Sequence, residues 1–164
     1  MIRKVIIFLL VAGALLGLNG CGSLLAKSSA LSPCQTLALK QEGFVQTEEG
    51  WEYIASERLL FGSNEANLLP SAHQTVERIA HVLLSIDILK VRIDGHTDVT
   101  GANAYNDYLS KRRAQAVADA MVKAGMSASD IKVRALGSRL PVASNQSAEG
   151  RAQNRRVVLV VSGN

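Results

Sequence analysis

The chain has 164 residues, of which 48% are hydrophobic, and this length is enough to bury the core of one domain. Its formal net charge is +4, but residues 1–20 carry two basic residues and no acidic ones, so the rest of the chain carries +2. This near balance gives no electrostatic argument for nucleic-acid binding, which needs a concentrated basic face, and we expect no nucleic-acid partner.

The first 20 residues are predicted to be a secretory signal peptide. Arg3 and Lys4 precede an uncharged and largely apolar run over residues 5–18, which small and polar residues follow. A basic start, an apolar centre and a small-residue end are typical of such a signal. The apolar run is shorter than the ~20 residues that a membrane-spanning helix needs. We therefore expect residues 1–20 to be removed during export.

Residues 18–21, with the sequence LNGC, resemble a bacterial lipobox, in which Cys21 is lipidated and becomes the new N-terminus. An ordinary signal peptide that is cleaved elsewhere is the alternative. Gly22, rather than Asp, follows the cysteine and indicates the outer membrane by the bacterial sorting convention. Residues 21–32 are then a lipidated tether to a domain that faces the periplasm. Acylation of Cys21 leaves Cys34 as either a tolerated thiol or an intermolecular one.

Residues 33–57, which we call the front section, are predicted to form a short helix and a hairpin. The helix begins at Pro33 and stops at Gly43, and apolar and polar residues alternate on both sides of a turn in the hairpin that follows. Phe44 and Trp51 lie in this hairpin. They either close one end of the core or form a partner surface, since exposed aromatic residues supply much of the energy of protein interfaces.

Residues 58–164 are predicted to be an α+β domain in which strands and helices alternate as β-α-β-α-β-(α)-β, giving a mixed sheet covered by helices. The helices show one apolar stripe each, and the last strand is a continuous apolar run of the kind found at a sheet centre. The predicted strands are residues 58–61, 90–95, 131–137 and 157–161, and the predicted helices are residues 69–84, 103–124 and 149–154.

An acidic residue and a basic residue are expected to face one cleft in this domain. Asp98 follows the strand at 90–95, Gly101 permits a turn, and Arg113 lies on the next helix. A carboxylate and a guanidinium in one cleft suit a ligand that carries both an ammonium and a carboxylate. The alternative is that Asp98 and Arg113 form an internal salt bridge. No third ligand for a metal and no nucleophile with its base can be placed, so we expect neither a metal, a cofactor nor catalytic residues.

Several spaced motifs then carry a resemblance to the OmpA C-terminal-like family, which extends from residue 51 to the end of the chain. They are GHTDxxG at 95–101, Asn106, LSxxRA at 109–114 and GRxxNRRV at 150–157. The resemblance implies non-covalent binding of peptidoglycan through the diaminopimelate of its stem peptide. Carried over from the motifs, Asp98 meets the ammonium and Arg113 the carboxylate, and Asn64 matches a position that holds Asn or Asp in the family.

Within the family, the chain is most similar to the YfiB group of small outer-membrane lipoproteins, through the sequences GF at 43–44, EGWE at 49–52, LFG at 60–62 and PVAxN at 141–145. That resemblance implies sequestration of a periplasmic repressor of a membrane diguanylate cyclase, which raises cyclic di-GMP. The alternative is a purely structural tether between outer membrane and peptidoglycan. The sequence leaves open whether the protein forms a homodimer.

Overall fold

A five-stranded mixed sheet organises the part of the chain that the computed structural model describes, residues 30–62 and 66–163. Its strand order is β1-β2-β5-β3-β4, in which β3 and β4 are parallel and all other neighbours are antiparallel. The elements are α1 (Pro33–Gln41), β1 (Val45–Thr47), β2 (Gly50–Ser56), α2 (Glu57–Leu60), α3 (Pro70–Ser85), β3 (Val91–His96), α4 (Asn103–Lys123), β4 (Ile131–Gly137), α5 (Ala148–Asn154) and β5 (Arg156–Val161). The predicted α+β class with a helix-covered mixed sheet is confirmed.

The helices and the sheet share one hydrophobic core. In α3, the predicted apolar stripe of Val76, Ile79 and Leu83 is buried against it. Every residue of β5 is buried, which agrees with its central place in the sheet and with its continuous apolar sequence. The front helix α1 begins as predicted, with Ser32 capping its first turn and Pro33 at its start.

The predicted strand at residues 58–61 is wrong, because this segment is the short helix α2, which ends before Phe61. The first strand of the central sheet is instead β2, which begins inside the predicted hairpin and continues to Ser56. The adjacent apolar residues Leu60 and Phe61 are both buried, whereas Leu59 between Arg58 and Leu60 is exposed. A strand would have placed Leu60 and Phe61 on opposite faces, whereas α2 and the residue that follows it bury both side chains in one core.

The front section and the rest of the domain share this sheet. Strand β2 pairs with β5 along its length, from Trp51 opposite Val161 to Ser56 opposite Arg156. The sequence-based division between residues 57 and 58 therefore does not separate two sheets. The front section contributes a strand to the same core, and its last residue, Glu57, begins α2.

The predicted surface role of the Phe44 and Trp51 rings is corrected by the structure, which places both in the core. Phe44 is 3% exposed and Trp51 is 6% exposed. Phe44 packs against Tyr53, with ring centroids 5.5 Å apart. Both rings belong to the same hydrophobic cluster as Leu39 of α1, so their burial removes a large apolar area from water.

Candidate functional site

Three strand ends meet at one end of the sheet and bring together residues that are far apart in sequence. Strand β5 is antiparallel to both β2 and β3, so its start lies beside their ends. Glu57 directly follows β2, Arg155 directly precedes β5, and Asp98 comes two residues after β3. The backbone N–H of Glu57 donates to the carbonyl of Arg155 at 3.0 Å, which fixes this junction.

Helix α4 contributes Arg113 to the same end of the sheet. The backbone of α4 packs directly against β3 at Gly95, so closely that an added Cβ would stand 2.1 Å from the Ser110 carbonyl oxygen. Only glycine permits this approach. Arg113, one turn after Ser110, is 2% exposed, and its guanidinium stacks on the Phe61 ring at 5.5 Å.

An ion-pair network connects these residues. Asp98 Oδ2 accepts a hydrogen bond from Arg155 Nη1 at 2.6 Å, and Arg155 Nε lies 2.7 Å from Glu57 Oε2. The other carboxylate oxygen of Glu57, Oε1, accepts from Arg113 Nη2. The expected salt-bridge alternative therefore takes a different form, because Asp98 pairs with Arg155 and Arg113 pairs with Glu57.

The Asp98 carboxylate is held in its charged form. Burial raises the pKa of this carboxyl, but hydrogen bonds from Arg155 and from the Thr100 backbone and side chain outweigh burial, so its pKa lies below the ordinary value. The Thr100 amide donates to Asp98 Oδ1 at 2.8 Å. The pKa of Arg155 is raised, chiefly by its hydrogen bond to Asp98 and against the effect of its burial.

The network lines a cleft of about 570 Å³, within the range of ~300–1,000 Å³ that holds small-molecule ligands. Acidic, basic, aromatic and small residues share its wall. They are Glu57, Arg58, Phe61, Gly62, Thr97, Asp98, Thr100, Gly101, Tyr105, Asn106, Leu109, Arg113, Arg151 and Arg155. The cleft can thus offer both a carboxylate and several guanidinium groups to one ligand.

Three of the predicted ligand-binding residues, Asp98, Gly101 and Arg113, line this cleft together. Gly101 has φ +90°, a left-handed conformation that favours glycine, and an added Cβ would meet nothing within 4 Å. The turn conformation, rather than crowding, therefore explains glycine here. Predictions for Asn64 and for lipidation of Cys21 fall on residues outside those that the structure describes.

Sequence reasoning did not identify Glu57 or Arg155 as site residues, although Arg155 lies in the GRxxNRRV motif. Pairing of β5 with both β2 and β3 would have placed these residues together, but the wrong strand at 58–61 concealed this pairing. The backbone amides before Gly101 bond within the protein: the Thr100 amide donates to Asp98, and the Val99 amide donates to Asn145 Oδ1 at 3.4 Å.

His96 lies at the end of β3 but is not among the residues that line the cleft. It is 5% exposed, and the described residues offer its Nδ1 no hydrogen-bond partner. Burial, followed by the positive charge of Arg156, lowers its pKa to about 4, so the imidazole is neutral at physiological pH. Across residues 30–62 and 66–163, no group of three or more His, Cys, Asp or Glu side chains is placed to hold a metal ion. Within the same ranges, no helix is both long enough and apolar enough to cross a membrane.

Comparison with known proteins extends the motif resemblance to most of the chain. The sequence profile of the OmpA family matches residues 60–155. The chain is 45% identical over 146 residues to the outer-membrane lipoprotein YfiB of Pseudomonas aeruginosa, an alignment that covers 89% of this chain and 86% of that protein. It is 41% identical over 104 residues to the peptidoglycan-binding protein ArfA of Mycobacterium tuberculosis, covering 63% of this chain and 32% of ArfA. The predicted outer-membrane localisation agrees with the first of these relatives.

A solved structure has the same fold. The peptidoglycan-associated lipoprotein from Burkholderia pseudomallei superposes with a TM-score of 0.57 at 29% identity, covering 62% of this chain and 86% of that one. These relatives are described as lipoproteins and binding proteins, and none of the three descriptions refers to an enzyme. The profile match covers more than half of the sequence, and the YfiB alignment covers most of it. The chain belongs to the OmpA family.

Proposed function

We propose that the protein is an outer-membrane lipoprotein that binds peptidoglycan non-covalently in this cleft, through the diaminopimelate of the stem peptide. The observation that carries the proposal is that Asp98, Gly101 and Arg113 line one cleft, so that a carboxylate and a guanidinium can face the same ligand. The proposal is supported by relatives that are described as a peptidoglycan-binding protein and a peptidoglycan-associated lipoprotein.

The chemistry of the cleft suits diaminopimelate, which carries ammonium and carboxylate groups on one chain. Asp98 is the anion for the ammonium, and its lowered pKa keeps it charged at neutral pH. Arg113 is the cation for the carboxylate, because a planar guanidinium can donate two parallel hydrogen bonds to it. Each charge-assisted bond contributes ~1.5–3 kcal/mol before ordering costs, so a single site is weak to moderate. Many sites on one wall and a lipid tether then add avidity.

A sedimentation assay with purified peptidoglycan tests the proposal. Residues 22–164 are expected to sediment with the wall, whereas Asp98→Asn and Arg113→Ala are expected to stay in solution. Asp107→Asn is the matched control, because Asp107 lies on α4 outside the cleft and pairs with Arg139 at 2.7 Å. Circular dichroism reports whether each variant is folded. A folded Asp98→Asn protein that still sediments would mean that the network is only structural.

We further propose that the front section sequesters a periplasmic repressor of a membrane diguanylate cyclase. The YfiB alignment covers 146 residues and therefore extends well before residue 60, so the likeness includes the front section and not only the family profile. With Phe44 and Trp51 in the core, the exposed apolar side chains of this section are Leu37, Val45 and Ile54. These are the side chains that a protein partner would cover.

Cyclic di-GMP measurements separate this role from the structural tether. Expression of the protein is expected to raise cyclic di-GMP in cells that contain the repressor and the cyclase, and to have no effect when the repressor gene is deleted. Val45→Glu is expected to abolish the rise while leaving sedimentation with peptidoglycan intact. An unchanged cyclic di-GMP level would favour the tether alone. Size-exclusion chromatography with light scattering tests whether the protein forms a homodimer, which the sequence leaves open.

A further inference from the structure

The cleft contains more positive charge than the proposed diaminopimelate contacts use. Among the described residues that line it, four are arginines and only two, Glu57 and Asp98, are acidic. Both carboxylates are already paired, Asp98 with Arg155 and Glu57 with Arg155 and Arg113. The excess positive charge is carried by the other two arginines, Arg58 and Arg151.

Arg58 lies on α2, is exposed and lines the cleft. Within residues 30–62 and 66–163, no hydrogen bond or ion pair ties its guanidinium to another side chain or to the backbone. Arg151 is half-buried on α5, and its Nη1 donates to the carbonyls of Asn145 and Gln146 at 2.9 and 3.1 Å. A guanidinium has five N–H donors, so Nη2 and Nε of Arg151 retain donors that these two bonds do not use.

The size of the cleft also exceeds what one diamino acid fills. Its volume of about 570 Å³ is that of a site for a ligand of several linked groups. A stem peptide with free carboxyl groups carries a net charge of about −2 at neutral pH, because its D-glutamate and terminal carboxylates add to the charges of diaminopimelate. The excess charge of the cleft complements that ligand.

We infer that Arg58, together with Arg151, forms a second anion subsite that binds a further stem-peptide carboxylate beside the diaminopimelate. The inference rests on the proposed function. It gives the cleft a preference for stem peptides in which this carboxyl group is free rather than amidated. Two groups supply the same chemistry, the α-carboxylate of D-glutamate and the terminal carboxylate of D-alanine, and synthetic ligands distinguish them.

Calorimetric titration of the protein with soluble muramyl tetrapeptides tests the subsite. One pair of ligands differs only in D-glutamate against D-isoglutamine, and the other only in a free against an amidated terminal D-alanine. The wild-type protein is expected to bind the free acid of one pair about 3- to 10-fold more tightly than its amide, the range of a partly exposed charge-assisted contact. Arg58→Gln is expected to bind both members of that pair equally. Arg112→Gln, an exposed arginine of α4 outside the cleft, is expected to keep the difference.

The outcomes separate this inference from the proposed function. If the wild-type protein binds none of the tetrapeptides, the proposed function itself fails. If it binds all four with equal affinity, the function stands and the second subsite is overturned. If it discriminates within a pair and Arg58→Gln discriminates equally well, the assignment to Arg58 is overturned. Because Arg58 is exposed, its replacement is not expected to unfold the protein, and thermal unfolding of the variant checks this.

Discussion

Glu57 is the residue whose replacement tests the ion-pair network most directly. Its side chain is 12% exposed and serves two arginines. The contact with Arg155, which is partly exposed, contributes on the order of 1 kcal/mol because solvent screens it. The contact with Arg113 is buried, and breaking a buried pair costs ~3–5 kcal/mol when one partner is removed outright. Glutamine keeps one accepting oxygen, so we expect Glu57→Gln to lower the free energy of unfolding by about 3 kcal/mol.

Urea unfolding at pH 7 measures this loss, and an unchanged dependence on urea concentration shows that the folded state is equally compact. Glu49→Gln is the matched control, because Glu49 also contacts two arginines, Arg92 and Arg134, but is 56% exposed. Its loss is expected to stay below ~1 kcal/mol. Equal losses for the two variants, or a loss below ~1 kcal/mol for Glu57→Gln, would show that the network does not stabilise the domain.

Three further predictions concern burial, charge and close packing. Burial lowers the pKa of His96 from the ordinary 6.5 to about 4, so on acidification the unfolded chain takes up the proton before the folded protein does. The free energy of unfolding is therefore expected to fall by about 3 kcal/mol as the pH drops from 6.5 to 4. His96→Gln removes this fall in a pH series of urea unfolding, and His73→Gln, on the exposed side of α3, does not. The folded pKa of Asp98 lies below 3.8, so the stability that its charged form contributes is complete above that pH and is lost as the pH falls through the folded pKa. Asp98→Asn is therefore expected to be less stable than the wild type at pH 7 and to lose less stability on acidification. Gly95→Ala would place a Cβ 2.1 Å from a backbone oxygen of α4 and is expected to lower the free energy of unfolding by more than ~3 kcal/mol. The Cβ of Gly101→Ala meets no atom within 4 Å, so this variant is expected to lose only the ~1 kcal/mol that a positive φ costs alanine, and thermal unfolding measures both losses.

The sequence predicted the long elements well because their signals are local. The apolar stripe of α3 and the continuous apolar run of β5 each indicate an element without reference to the rest of the chain. The segment at 58–61 has no such signal, since three adjacent apolar residues are compatible with a strand, a helix or a buried turn. The pairing of β2 with β5 determines which of these structures forms, and a local sequence pattern does not show which distant strands pair.

The site was predicted in part for a related reason. Asp98, Gly101 and Arg113 belong to one strand–turn–helix unit, so their proximity follows from a short stretch of sequence. Glu57 and Arg155 reach the cleft only through the order of the strands, which a single sequence does not give directly. Burial of Phe44 and Trp51 was likewise undecidable from composition, because it depends on a core that residues from several distant elements complete.

The network also bears on how a ligand would be bound. Asp98 accepts hydrogen bonds from Arg155 and from the backbone and side chain of Thr100, but a carboxylate has about four lone-pair sites, so an ammonium can be added without expelling Arg155. Arg155 and the Thr100 amide then act before the ligand arrives, because they fix the carboxylate in its charged form and in one orientation. Ordering these groups costs nothing at the moment of binding. In the proposed function, a ligand would form few new contacts, each with a group that is already in place, which is the arrangement of a weak but specific site.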